Sequence, residues 1–233
     1  MNDTKLNKLD SYQIELDNLI VSVDIYLREK DFVPTYSISI LNISPMTQMV
    51  LSNIRDEFVN RANAVEAIKA TEKDIPETIK DRFRREITQL IGKYFPKLDE
   101  TNKNLLVSYV MRENLGLGNI EFLLKDKQLE EIVINSSKEP VWVYHKKFGW
   151  LKTNILVPSE DKIRHYATSI GRDVEKEITL LKPLMDAHLL TGERVNATLN
   201  PISTLGNTIT IRKFAEKPWT IVDDNGTHLE GTI

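Results

Sequence analysis

Two arginines, Arg194 and Arg212, each sit on a short alternating run, with a turn-rich loop between the runs. In the segment ERVNATL, Val195, Ala197 and Leu199 fall on one face and Arg194, Asn196 and Thr198 on the other. In TITIRKF, Ile209, Ile211 and Lys213 oppose Thr208, Thr210 and Arg212. A period of two puts both arginines on the polar side of a predicted strand. The intervening NPISTLGN carries Pro201, Gly206 and Asn207, a turn composition, so antiparallel pairing would bring the two polar faces together. Two guanidinium forks side by side suit an anion such as a phosphate. The alternative is that both are surface charges pairing with carboxylates such as Glu193 or Glu216.

Other chemistries lack their residues. A P-loop needs Gly, four spacers and then Gly-Lys-Ser/Thr, because the glycines let backbone N–H groups surround phosphates while the lysine reaches them. The one Gly-Lys pair, Gly92-Lys93, is followed by Tyr94 and has Ile87 where the first glycine belongs, so it reads as helix interior. Gly116-Leu117-Gly118 fails the dinucleotide fingerprint because Glu121 occupies the third glycine position. His145, His165, His188 and His228 have no metal-ligand spacing, so no metal site is expected, and no serine or cysteine nucleophile has a supporting constellation.

The elements that must position the arginines follow from composition and periodicity. With 233 residues, 41% apolar and 28% charged, the chain reads as a soluble globular protein with room for one large or two small domains. A net charge of -3 provides no global attraction for nucleic acid or anionic lipid, and none is expected as a partner. Cysteine is absent, which excludes disulfides and thiolate metal sites and fits a reducing cytosol. The sequence has no run of about 18 apolar residues, and the N-terminus lacks an apolar signal core, so any membrane role is expected to act through partners.

The chain opens with a polar tail, then LIVSVDIYL and YSISILN, two alternating runs that predict a strand hairpin. Ser44 and Pro45 predict a helix start, with Met46, Val50, Ile54 and Phe58 as its apolar stripe. A second helix is expected over 76–94, on Ile79, Phe83, Ile87, Leu90 and Ile91, and a third over 102–115 with Gly116 as its C-terminal cap. Beyond Gly118 come a short helix leading into a strand, two strands joined at Lys146 to Gly149, a helix capped by Ser159, and the arginine strands. The short connections predict an antiparallel sheet with helical cover. KDRFRRE places Lys80, Arg84 and Arg85 near Phe83, either a docking face or a solvated helix with Asp81 and Glu86 as counter-charges. The turn from His145 to Trp150 reads as a hairpin tip, with a nucleic-acid contact as the alternative.

The segment PLMDAHLLTGERVNATLNPIST, continued by TITIRKFAEKPWT, resembles the region just upstream of the P-loop in type II/IV secretion-system ATPases, especially the archaeal branch that drives archaella, adhesive pili and export. The resemblance covers Leu105 to Thr220; the first hundred residues match loosely. It implies an α+β fold: an N-terminal hairpin-plus-helices subdomain over 1–125, a PAS-like antiparallel sheet domain over 126–220, and a linker over 221–233 toward a P-loop domain that these residues do not contain. It further implies a cytoplasmic homohexamer, peripheral to the membrane through a platform protein. Neighbouring subunits and the C-terminal P-loop domain would be the other partners, and ATP and Mg would bind with that domain, with no cofactor expected in this fragment alone.

By the same resemblance Arg194 and Arg212 reach the nucleotide phosphates, with Asp186, Asn196, Trp219 and Thr220 in support, and the fragment carries no catalytic residue. Asp186 would orient an arginine or the nucleotide, or else hold a turn through its own backbone; Asn196 could simply stabilise the strand pair. Trp219 would meet a partner domain or enter the core. A stand-alone PAS-like adaptor or ligand-sensing module is the other functional reading.

Overall fold

A computed structural model describes residues 6–17, 19–66 and 77–213, with backbone alone at 59–66 and 77–80. Nine strands form one sheet: β1 (Leu6–Leu16), β2 (Leu19–Arg28), β3 (Thr35–Ile40), β4 (Leu129–Ile134), β5 (Pro140–His145), β6 (Gly149–Leu156), β7 (Leu184–His188), β8 (Arg194–Thr198) and β9 (Thr208–Arg212). Among the described residues five helices accompany them: α1 (Pro45–Glu66), α2 (Glu77–Tyr94), α3 (Glu100–Leu115), α4 (Ile120–Lys125) and α5 (Glu160–Asp173). The fold class is α+β, as the sequence predicts.

Capping chemistry sets the helix starts. Ser44 Oγ accepts the Thr47 N–H at 3.1 Å, Asp99 accepts the Asn102 N–H at 3.1 Å, and Ser159 Oγ accepts the Lys162 N–H at 3.1 Å. Each satisfies an amide that the first helical turn leaves without a carbonyl. On α1 the buried side chains are Leu51, Ile54 and Phe58, whereas Met46, expected on that stripe, is 77% exposed. Met46 occupies the first turn, ahead of the stretch that meets the core. The Phe58 ring meets Phe83 of α2 edge-on with centroids 5.1 Å apart.

The strands lie in the order β1-β2-β3-β6-β5-β4-β9-β8-β7. Every neighbouring pair is antiparallel except β3 with β6, which is parallel and makes the sheet mixed. That junction is narrow: only Thr35 with Lys152 and Tyr36 with Thr153 are in register. The Asn154 side chain extends it, accepting the Ile38 N–H and donating to the Ile38 carbonyl, both at 2.9 Å. Residues 6–16, expected to be a polar tail, form β1, where Ile14 alone is buried. An edge strand with one buried side chain carries almost no alternation for the sequence to display.

One face of the sheet is buried by helices and the other is open. Val21, Val23 and Ile25 of β2, Val141 and Val143 of β5, and Ile209 and Ile211 of β9 point into a single apolar core. Several polar groups within it are paired, though Arg112 Nη1 and His145 Nε2 are buried without a hydrogen-bond partner. The hydroxyls of Tyr12 and Tyr36 both donate to Asp126 Oδ2, at 2.7 and 2.6 Å, tying β1 and β3 to the end of α4. Arg112 of α3 is 7% exposed and pairs with Asp17 and with Glu121 at 2.8 Å, its guanidinium 5.3 Å from the Phe122 ring centre. Among the described residues no helix is long and apolar enough to cross a membrane. The boundary expected after residue 125 falls between α4 and β4, and the sheet runs through both sides of it.

Candidate functional site

The open face carries the arginines. Register pairs Arg194 of β8 directly with Arg212 of β9, and both side chains are exposed. The alternation expected from ERVNATL and TITIRKF is realised: Val195, Ala197, Ile209 and Ile211 fill the core, which leaves the opposite face to the guanidinium groups. Asn196 lies on that same face, in register with Asp186 and Thr210.

Asp186 is central to β7, not part of a turn, so the turn alternative does not describe it. From there its carboxylate grips Arg194 with both oxygens: Arg194 Nε donates to Oδ1 at 3.1 Å and an Nη to Oδ2 at 2.7 Å. This hydrogen-bonded pairing holds the Asp186 carboxyl below the ordinary carboxylate range and pushes the Arg194 guanidinium up. The pair is half exposed, at 55% and 53%, so water screens it and its chief effect is to fix the orientation of the fork. Arg194 therefore pairs with Asp186 rather than with Glu193, whose carboxylate accepts from the Thr191 hydroxyl. Among the described residues Arg212 makes no ion pair. One guanidinium is pre-set, and its neighbour has no ion partner among the described residues.

The loop between the two arginine strands is anchored from below by Glu160, in the first turn of α5. Glu160 Oε1 accepts the Ser137 N–H at 2.7 Å, and Oε2 accepts the Asn207 N–H at 2.5 Å. Asn207 returns a bond from its side chain to the Glu160 carbonyl at 2.9 Å and accepts the Asn200 N–H at 2.8 Å. Partial burial opposes ionisation of Glu160, but the two backbone donors outweigh it and hold the carboxyl below its usual range. Gly206 fits here because its φ is +144° and a Cβ would come within 2.7 Å of the Ser136 Cβ. Sequence reasoning did not single out Glu160; its partners lie 23 and 47 residues away, and no local pattern links them.

Both arginines line an open groove of about 1180 Å³, together with Glu131, Tyr144, Trp150 and His188. Its lining includes six lysine and arginine side chains against four carboxylates, a cationic balance in an acidic chain. The hairpin tip expected from His145 to Trp150 joins β5 to β6, with His145 buried and its Nδ1 accepting the Lys147 N–H at 3.0 Å. No group of three or more potential metal ligands exists among the described residues. Trp219, Thr220, Glu216 and the 221–233 linker lie outside the described residues, as do the side chains of Lys80 and Ile79.

No family model matches the chain. It is similar to three uncharacterized proteins of Methanocaldococcus jannaschii. One is 31% identical over 218 residues, covering 92% of this chain and 28% of that protein. A second is 30% identical over 123 residues, 53% of this chain and 49% of the relative, and a third is 31% identical over 123 residues, 52% and 22% respectively. The chain thus spans half or less of the length of the relatives it matches. Among solved structures it is similar to the VirB11 ATPase of the Brucella suis type IV secretion system in complex with sulphate, at a TM-score of 0.37 and 24% identity, covering 44% of this chain and 31% of that one.

Proposed function

We propose that these residues form the N-terminal, nucleotide-sensing and partner-docking region of a hexameric secretion, pilus or archaellum ATPase. In this reading β4 to β9 act as the PAS-like element, and Arg194 and Arg212 reach the phosphates of ATP, which a C-terminal P-loop domain would hold together with Mg. The observation that carries it is the register pairing of Arg194 with Arg212 on the open sheet face. Two guanidinium groups one strand apart, with one already oriented by Asp186, form a fork for phosphoryl oxygens.

The asymmetry between them gives a mechanism. Arg194 keeps its geometry without nucleotide, so little reorganisation is required of it when charge develops on a transferring phosphoryl group. Arg212 makes no ion pair among the described residues, although Glu131 stands opposite it on β4; in this reading it supplies the contact that depends on the phosphate being present and so links nucleotide state to closure of the two domains. Neighbouring subunits and a membrane platform protein would feel that closure, and the chain would act in the cytoplasm. With no P-loop of its own, it would not hydrolyse ATP alone.

The test is ATP turnover by the complete gene product. Arg194→Ala and Arg212→Ala should each lower turnover by about 100- to 1000-fold with folding intact, the range for removing one transition-state donor. Wild-type turnover in both variants would remove the assignment. A gene that carries no GxxxxGK[ST] run downstream would favour the adaptor reading instead.

A further inference from the structure

The arginine pair is one end of a longer row. In register across six strands, the open face presents His188, Arg194, Arg212, Glu131, Tyr144 and Trp150, each residue directly opposite the next. All six line the same groove. Beyond His188 the row changes chemistry twice along its length: guanidinium groups, then a carboxylate, then two aromatic rings. Tyr144 and Trp150 are 36% and 43% exposed, and their rings meet edge-on with centroids 5.3 Å apart. That leaves aromatic surface open to the groove, at a cost in water that a stacked ligand would offset.

We infer that this row is a mononucleotide site in its own right, in which Arg212 and Arg194 hold the phosphates, Glu131 accepts from the ribose hydroxyls and Tyr144 with Trp150 stack the base. The order of the three chemistries is the order of the parts of a nucleoside triphosphate. Spacing agrees: strands lie about 4.8 Å apart, so Arg212 and Tyr144, two strands removed, are about 10 Å apart, a span that phosphate, ribose and base can bridge. Glu131 between them would repel a phosphate, but a carboxylate is the group that hydrogen-bonds ribose hydroxyls at dinucleotide sites. The same carboxylate argues against a single-stranded nucleic acid, whose phosphodiesters would have to pass over it. The inference rests on the phosphate role proposed for Arg194 and Arg212, and adds to it the ribose and base contacts.

The experiment is calorimetric titration of the 233-residue chain with ATP, dATP, inorganic triphosphate and a short RNA oligonucleotide. Wild type should bind ATP. Trp150→Ala and Tyr144→Ala should each weaken ATP about tenfold, the usual effect of removing a stacking ring, and leave triphosphate binding unchanged. Glu131→Ala should erase a preference for ATP over dATP, and Arg212→Ala should weaken ATP and triphosphate alike. Trp150→Leu, which retains apolar bulk, guards against a folding defect and should behave as Trp150→Ala.

Unchanged ATP affinity in the aromatic variants, with Arg212→Ala weakened, would overturn the base contact and leave the phosphate role standing. Unchanged affinity in Arg212→Ala would instead sink the phosphate role. No saturable ATP binding by wild type, or tighter and steeply salt-dependent binding of the oligonucleotide, would overturn the inference outright.

Discussion

Replacing Glu160 should uncouple the β8–β9 loop from α5, and the structure sets the size of the effect. Its carboxylate receives two backbone N–H bonds, from Ser137 at 2.7 Å and Asn207 at 2.5 Å. Hydrogen bonds to a charged group contribute about 1.5–3 kcal/mol each, and a carboxylate only partly removed from water belongs near the low end. Glu160→Ala should therefore cost about 3 kcal/mol, and Glu160→Gln, which retains one acceptor oxygen, about 1.5 kcal/mol. The pH dependence follows from the direction of the carboxyl's shift. Its pKa in the fold lies below the unfolded value, so its stabilisation is complete above the ordinary carboxylate range and is lost as pH falls through the depressed folded value. Urea denaturation of wild type and both variants, at neutral pH and again below that range, measures this directly. The gap between wild type and Glu160→Gln should be full at neutral pH and shrink in acid. A Glu160→Ala cost under about 0.5 kcal/mol, the scale of an ordinary surface substitution, would refute the reasoning, as would a gap that ignores pH.

Three further outcomes are expected. Asn154→Ala removes both bonds to Ile38 at the parallel junction, which should cost about 1–2 kcal/mol and speed amide exchange at Ile38 more than at Val21. Tyr36→Phe takes one of two hydroxyl donors from Asp126 and should cost about 1–3 kcal/mol in thermal unfolding. In wild type, burial first, and then Asp126 through its hydrogen bonds and its charge, raise both phenols, so the stability they contribute persists below the usual tyrosine range and is lost as pH climbs above it; ultraviolet titration should show these two ionising only as the chain unfolds. Gly206→Ala drives a methyl into Ser136 and Glu160 at a left-handed φ, and should cost about 1–3 kcal/mol, less when combined with Glu160→Ala, because the mutated sites touch.

What the sequence disclosed depended on whether an element buries one face cleanly. β2, β5, β6, β8 and β9 alternate because core and solvent lie on opposite sides of each, and their strands were predictable. β1 and β7, the two edges of the sheet, give the sequence little strand signal: β1 buries only Ile14, and β7 offers just Met185 and Ala187 to the core across five residues. The partnerships that fix the site were equally hidden. Asp186 reaches Arg194 across a strand pair that had not been foreseen, and Glu160 reaches Asn207 over 47 residues. Residue type gave the polarity of Arg194 and Arg212, but only strand register shows that Glu131, Tyr144 and Trp150 continue their row. The parallel contact of β3 with β6 joins segments more than a hundred residues apart, and no local periodicity encodes it.

That contact has a practical corollary for anyone trimming the chain. Deleting β1 to β3 to obtain a smaller arginine-bearing unit would strip β6 of its β3 neighbour and bare the backbone at Lys152 and Thr153 and the Asn154 side chain, in a strand already showing Trp150 and Leu156 to solvent. Naked strand margins of this kind recruit one another, so the shortened product should dimerise or precipitate through β6. A lysine or proline introduced on that margin would be the remedy, and the three leading strands act, in the intact molecule, as its sheath.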